Sequence, residues 1–323
     1  MSAGFDTVTG DQIISEDTEK PASASDSPGD DPDRDGGAKP KVDKRKSREK
    51  TPTIAEEALT DLELEDVTDH RRLSAITVYS VILREGEEEL ERPQASLWWS
   101  GVAAGIGIST SVLAEATIRS GLGADHPYLR LIESFGYSLG FVLVIMCRLQ
   151  LFTENTISVV LPVLACPSRY RFARTARLWG IVFVANMVGT LLTATITVHG
   201  GIVTDEILAA ILDISRHVAA IDPAAALLRG IPAGFFIAAL VWMLPSAKRS
   251  EALVIILFTW LIAAGDFTHV IAGSTEIFAL VVIGELGPLT AFSHHILPVL
   301  VGNVIGGTGL FAMLAYGQIR REM

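Results

Sequence analysis

Two apolar stretches in this sequence are too long for one straight membrane crossing, and each is interrupted near its middle by polar and charged residues. The first runs from about residue 128 to 165 and carries Arg148, Thr153, Glu154 and Asn155 at the interruption. The second runs from about 251 to 284 and carries Asp266, His269 and Glu276. Four further runs, about 95–118, 178–198, 224–245 and 293–316, have the length of roughly 20 apolar residues that a crossing helix needs. Unwound backbone persists at membrane depth only where it is buried in protein or lines a polar cavity, and ionisable groups there are costly unless paired or hydrated. The pattern therefore predicts an all-α membrane protein of six transmembrane helices, with helices two and five broken. If those two begin near Leu129 and Glu251, both breaks come about 18 residues from entry, from opposite sides. An inverted repeat of three plus three spans has that arrangement, and its broken helices meet where solutes bind.

Composition agrees and divides the chain. Of the 323 residues 49% are hydrophobic, and the mean hydropathy of +0.40 is high for a soluble protein. The net charge of −11 describes mainly residues 1–94 and says little about a solute. Residues 1–52 have no apolar signal core and are expected to form a disordered cytoplasmic tail. Its basic cluster, Lys39 to Lys50, is suited to an anionic lipid surface or to remaining solvated. Residues 53–94 read as cytoplasmic amphipathic helices: Thr53 and Glu56 have capping-box spacing, and about Ser74–Glu91 places Ala75, Val78, Tyr79 and Ile82 on one face. Residues 95–318 are expected to form the six-span membrane domain. Cys147 and Cys166 sit among apolar neighbours and read as packed thiols. His294-His295 lacks the companion residues of a metal or hydrolase motif. No metal, cofactor, nucleic-acid partner or enzymatic activity is expected.

Lys and Arg in the links set the orientation. The link after span two holds Arg169, Arg171, Arg174 and Arg177, that after span four Lys248 and Arg249, and the C-terminus Arg320 and Arg321. The alternate links are poorer in these residues. Both termini are therefore expected in the cytoplasm of a multi-pass protein of the cell (inner or plasma) membrane, with the acidic 199–223 segment outside.

Four motifs then resemble those of the bacterial formate/nitrite transporter family. They are Leu151-Phe-Thr-Glu-Asn155, His269-Val-Ile-Ala272, Arg229-Gly-Ile-Pro-Ala-Gly234 and Leu297-Pro-Val-Leu-Val-Gly-Asn-Val-Ile-Gly-Gly307. They occur in family order, and the similarity covers about 74–318. The resemblance implies an aquaporin-like protomer in a homopentamer, passing small monovalent anions such as formate or nitrite with protons through a pore in each protomer. Carried over, His269 and Thr153 face each other in the pore, Leu151 and Phe152 belong to the cytoplasmic constriction, and Asn155 and Asn303 belong to the pathway. A histidine titrating near neutrality can protonate an anion, which then crosses an apolar slit as the neutral acid.

The chain also departs from that pattern. Gly234 and Gly273 stand where the family usually has asparagine, Glu154 where it has a small residue, and Arg148 where glycine is common. An Arg148 ion pair with Glu154 or Glu276 is expected, because unpaired charge at depth is costly; the other reading is a changed pathway in which Arg148 attracts anions and Glu154 repels them. The alternative function is a non-conducting or regulatory scaffold of the same fold that works through its N-terminal tail.

Overall fold

The structure, a computed structural model, describes residues 72–322. The basic cluster and the Thr53–Glu56 capping box lie outside the described residues. Among those described, every regular element is helical. Helix α1 (Ala75–Glu91) starts at Ser74, whose hydroxyl accepts the Thr77 N–H at 3.2 Å. Along the chain follow α2 (Gln94–Leu122), α3 (Leu129–Met146), the short α4 (Leu161–Ala165), α5 (Arg169–His199) and α6 (Asp205–Ala219). Then come α7 (Pro223–Ser246), α8 (Glu251–Ala264), α9 (Val270–Val282) and α10 (Pro288–Ile319).

Five of these, α2, α3, α5, α7 and α10, are long and apolar enough to cross a membrane. The expected fifth crossing is made of two shorter helices, α8 of 14 residues and α9 of 13, separated by residues 265–269. The expected second crossing is α3, an irregular segment with one 3₁₀ turn at Glu154–Thr156, and then α4. Both interruptions fall on the polar residues that break the apolar runs. In addition, α10 contains two π-helical stretches, Ala291–Ile296, two residues before Pro298, and Ile305–Ala312, which holds Gly306, Gly307 and Gly309.

The two halves pack alike. In the first, α2 lies along α5, with Gly101 and Gly105 facing Ala185 and Gly189; a Cβ at Gly105 would come within 2.3 Å of the Asn186 carbonyl oxygen. In the second, α7 lies along α10, with Gly230 and Gly234 facing Gly302 and Gly306; a Cβ at Gly302 would come within 2.2 Å of the Leu227 carbonyl oxygen. Small residues four apart allow backbones this close, which is how helices associate where lipid removes the hydrophobic drive.

Helix α1 braces one end of the bundle. Val78, Tyr79, Ile82, Gly86 and Leu90 form its buried face, and the backbone at Gly86 meets Ser158, whose carbonyl oxygen leaves no room for a Cβ. Elsewhere the bundle is apolar on the outside too. Leu131, Phe135, Leu139 and Leu143 form an exposed stripe on α3, beside Leu253, Leu257 and Leu261 on α8. Cys147 and Cys166 are exposed free thiols rather than packed ones. Apolar neighbours in sequence do not distinguish a core from an outward belt.

Candidate functional site

Each break in a crossing is held by one buried asparagine from the third helix of its own half. Asn186 of α5 accepts the Phe152 N–H through Oδ1 at 2.9 Å, and its Nδ2 donates to the carbonyls of Gly101 (2.8 Å) and Gln150 (2.9 Å). Asn303 of α10 accepts the Val270 N–H at 2.9 Å and donates to the carbonyls of Gly230 and Thr268, both at 2.9 Å. Both side chains are fully buried. The clasps satisfy the Phe152 N–H, Gln150 carbonyl, Val270 N–H and Thr268 carbonyl that unwinding would leave bare, and tie each break to a carbonyl of a neighbouring helix.

The correspondence extends to backbone conformation. Arg148 and Asp266 each stand two residues past the end of a helix, with φ of 53° and 58°. This left-handed region favours glycine, so both positions hold strain that surrounding contacts must offset. Arg148 pairs with Glu85 of α1 at 3.1 Å, and its side chain is 78% exposed. The expected partners Glu154 and Glu276 are not used, because the left-handed turn directs the chain toward α1 and out of the bundle. Asp266 is held by Arg229, by Arg130 at 3.2 Å and by His217 at 3.3 Å.

Between the clasps the two breaks touch. Thr153 Oγ1 and His269 Nε2 are 2.7 Å apart, with 0% and 2% of each residue exposed. His269 is also the N-cap of α9: its Nδ1 accepts the Ala272 N–H at 3.2 Å. An Nδ1 that accepts carries no proton, so the neutral ring has its proton on Nε2 and donates to Thr153. The Thr153 hydroxyl hydrogen remains free to donate onward. Phe141 packs edge-on against the imidazole, 5.0 Å between centroids.

Two cavities of about 370 Å³ approach this contact. His269 lines one, Leu151 lines the other, and Thr153 lines neither. The cavity on the α1 side is bordered by Glu85, Glu89, Arg148, Gln150, Glu154 and Asn155. Gln150 Nε2 donates to Glu89 at 2.8 Å, and Asn155 Nδ2 donates to Gln150 Oε1 at 3.1 Å. The Asn155 carbonyl accepts the Trp179 indole N–H at 3.1 Å, so this residue ties the loop to α5. Phe152 lies in an aromatic cluster, with Trp179 and Phe183 at 5.6 and 5.3 Å, and lines neither cavity. Glu154 Oε1 is buried with no hydrogen-bond partner among the described residues. Glu154→Gln keeps the shape of a carboxyl that has no partner to lose, so it is expected to leave the fold and thermal unfolding in detergent nearly unchanged.

The departures at glycine have different causes. A Cβ at Gly234 would come within 2.2 Å of the Asn303 carbonyl oxygen, so an asparagine has no room there. At Gly273 the space is open, and the nearest atom to an added Cβ is Glu276 Oε2 at 3.8 Å. Gly234→Ala is expected to destabilise by about 1–3 kcal/mol through overpacking against backbone. Gly273→Ala should leave thermal unfolding in detergent nearly unchanged.

Of the residues singled out from sequence, Thr153, His269, Leu151 and Asn303 gather at or beside the contact. Glu154 and Asn155 flank the α1-side cavity, Phe152 packs behind it, and Arg148 is at its rim. Asn186 is the residue that sequence reasoning missed. A signal for it exists: Ala185-Asn-Met-Val-Gly189 and Gly302-Asn-Val-Ile-Gly306 share a small residue, asparagine, two apolar residues and glycine, once in each half.

Comparison with known proteins is consistent across three lines. The family model described as formate/nitrite transporter matches residues 77–317. Inner membrane protein YfdC of Escherichia coli K12 is 40% identical over 249 residues, covering 77% of this chain and 80% of that protein. Formate channel FocA of Escherichia coli K12 is 27% identical over 251 residues, covering 69% of this chain and 85% of that one. Among solved structures, a pentameric formate channel with formate bound superposes with a TM-score of 0.61 at 21% identity, over 71% of this chain and 98% of that chain. An FNT family ion channel superposes with a TM-score of 0.63 at 17% identity, over 76% and 98%.

Proposed function

The chain belongs to the formate/nitrite transporter family, and from that premise we propose that it passes small monovalent anions of weak acids, of the formate and nitrite class, through a pore in each protomer of a homopentamer. The observation that carries this reading is the buried Thr153–His269 contact between two clasped breaks, with one cavity on each side. The Lys and Arg of the links support a cytoplasmic location for both termini, for α1 and for the α1-side cavity; the α6-side cavity is then external.

An anion entering from either cavity reaches a partition of Leu151, Thr153 and His269. There it meets two donors, the Thr153 hydroxyl and the Nε2–H of the histidine. A hydrogen bond to a charged acceptor in a water-poor site is stronger than one to a neutral group, so the contact can open toward the anion. The apolar remainder of the partition favours passage as the neutral acid, because an unpaired charge there is costly. Protonation of the anion on the entry side, passage of the neutral acid through this station and loss of the proton on the far side complete the cycle.

The test is flux of formate, nitrite and a larger monocarboxylate into proteoliposomes of the full chain, with assembly followed by native mass. Rapid formate or nitrite flux from a pentamer supports the reading. A pentamer that moves none of them rejects it in favour of a scaffold working through the N-terminal tail.

A further inference from the structure

The α6-side cavity ends on His269, and two of the acids that line it have no partners among the described residues. Glu276 lies on α9, seven residues after His269 and on the same helical face, and 5% of it is exposed. Glu115 of α2 reaches the same cavity, is 8% exposed, and lies within electrostatic range of Glu276. Neither carboxyl has a hydrogen-bond or ion-pair partner among the described residues, although both line the cavity. Tyr137 of α3 lines it as well, with its hydroxyl likewise unpartnered. The open space beside Gly273 is bordered by Glu276 Oε2.

The cations around these acids are engaged elsewhere. Arg119 of α2 is bound bidentately by Glu133 of α3 at 2.8 and 2.9 Å and contacts Asp213 of α6. Arg130 of α3, Arg229 of α7 and His217 of α6 all converge on Asp266. His126, before α3, and His295, on α10, complete the titratable lining. Two carboxyls that share a cavity without a cation cannot both stay ionised without large cost.

His269 is a poor source for the proton an anion needs. Its Nδ1 is occupied by the Ala272 N–H, so the fold holds the neutral ring, and giving up the Nε2 proton would leave an imidazolate. We propose that Glu276 and Glu115 form a proton-donating acid pair that protonates the entering weak-acid anion in the α6-side cavity, before it reaches His269. In this step the O–H bond of the Glu276 carboxylic acid breaks and a new O–H bond forms on the anion A⁻. The products are the Glu276 carboxylate and neutral HA. HA crosses the partition, and Glu276 regains a proton from water through Glu115, so one proton moves with each anion. His269 and Thr153 then recognise the neutral acid by hydrogen bonds without changing protonation state.

This inference rests on the anion-transport reading above, and the experiment separates the two. Formate uptake into proteoliposomes of the full pentamer is measured at external pH of about 5.5 and about 7.5, with an internal pH dye counting protons per anion. The expected result is coupled proton entry in the wild type. Glu276→Gln should lower coupled uptake at least about 10-fold and flatten its pH dependence. Glu115→Gln should do the same more weakly, and Glu276→Asp should restore part of the rate. Both glutamine variants keep the shape of side chains that have no partner to lose, so folding is expected to survive. Wild-type rate, pH profile and proton count in both glutamine variants, with flux still lost in His269→Asn, would overturn the acid pair and leave the transport reading intact. Methylammonium uptake that is abolished in Glu276→Gln would overturn it in another way, by making the cavity a cation site. Absence of anion flux in the wild type removes both.

Discussion

Formate flux through the His269→Asn variant is expected to fall about 100-fold, the loss typical when one donor aimed at a charged oxygen is removed. The substitution separates two roles of the residue. Asparagine is a good helix N-cap, so its side-chain oxygen can take over the Ala272 N–H and keep α9 in place. The shorter amide does not reproduce the reach of Nε2 to Thr153, which is 2.7 Å away in the parent. Thermal unfolding should therefore change little while transport collapses. Thr153→Val, which keeps shape and loses the hydroxyl, should reduce flux in the same direction. Proteoliposomes of His269→Asn with unaltered flux at every pH would show that the contact is only a packing feature.

The second large effect concerns stability. Asn186→Leu and Asn303→Leu each strip two backbone groups of a break of their partner, one N–H and one carbonyl, and cut the tie to a helical carbonyl of Gly101 or Gly230. At about 1–3 kcal/mol for each unsatisfied buried group, with the carbonyl at the low end, each variant should lose about 2–4 kcal/mol. That is enough to lower the yield of assembled protein sharply and to drop the unfolding temperature in detergent. Asn303→Asp should be nearly as damaging, since it keeps the acceptor, loses both donors and buries a charge. Unchanged melting in either leucine variant would mean that the breaks are supported by packing alone.

Much of this was legible in the residues. The breaks announce themselves because polar side chains in long apolar runs have few physical excuses, and His269 and Thr153 stood out by position. The side-chain clasp at Asn186 did not, since one asparagine in an apolar helix gives no hint of what it holds until its counterpart at Asn303 is set beside it. Arg148 was misjudged in depth: its distance along the chain from Tyr128 implied burial, while the positive φ at that residue turns it toward Glu85, 63 positions earlier. The exposed thiols went the same way. Hydropathy measures affinity for an apolar medium and not which apolar medium, protein or lipid, is present. The five-residue gap between α8 and α9 made six expected crossings into five continuous helices and one split pair.

The clasps have a consequence for ancestry. Every group that Asn186 touches lies between Gly101 and Phe152, and every group that Asn303 touches lies between Gly230 and Val270. Neither asparagine reaches into the other half to hold its gap open. The halves join instead through contacts such as Thr153–His269, Ser109–Thr275, Ser274–Thr190 and Thr308 to the Thr156 carbonyl. A primitive chain of one half, inserted in either direction and associating with an oppositely oriented copy, would already have possessed the scaffold.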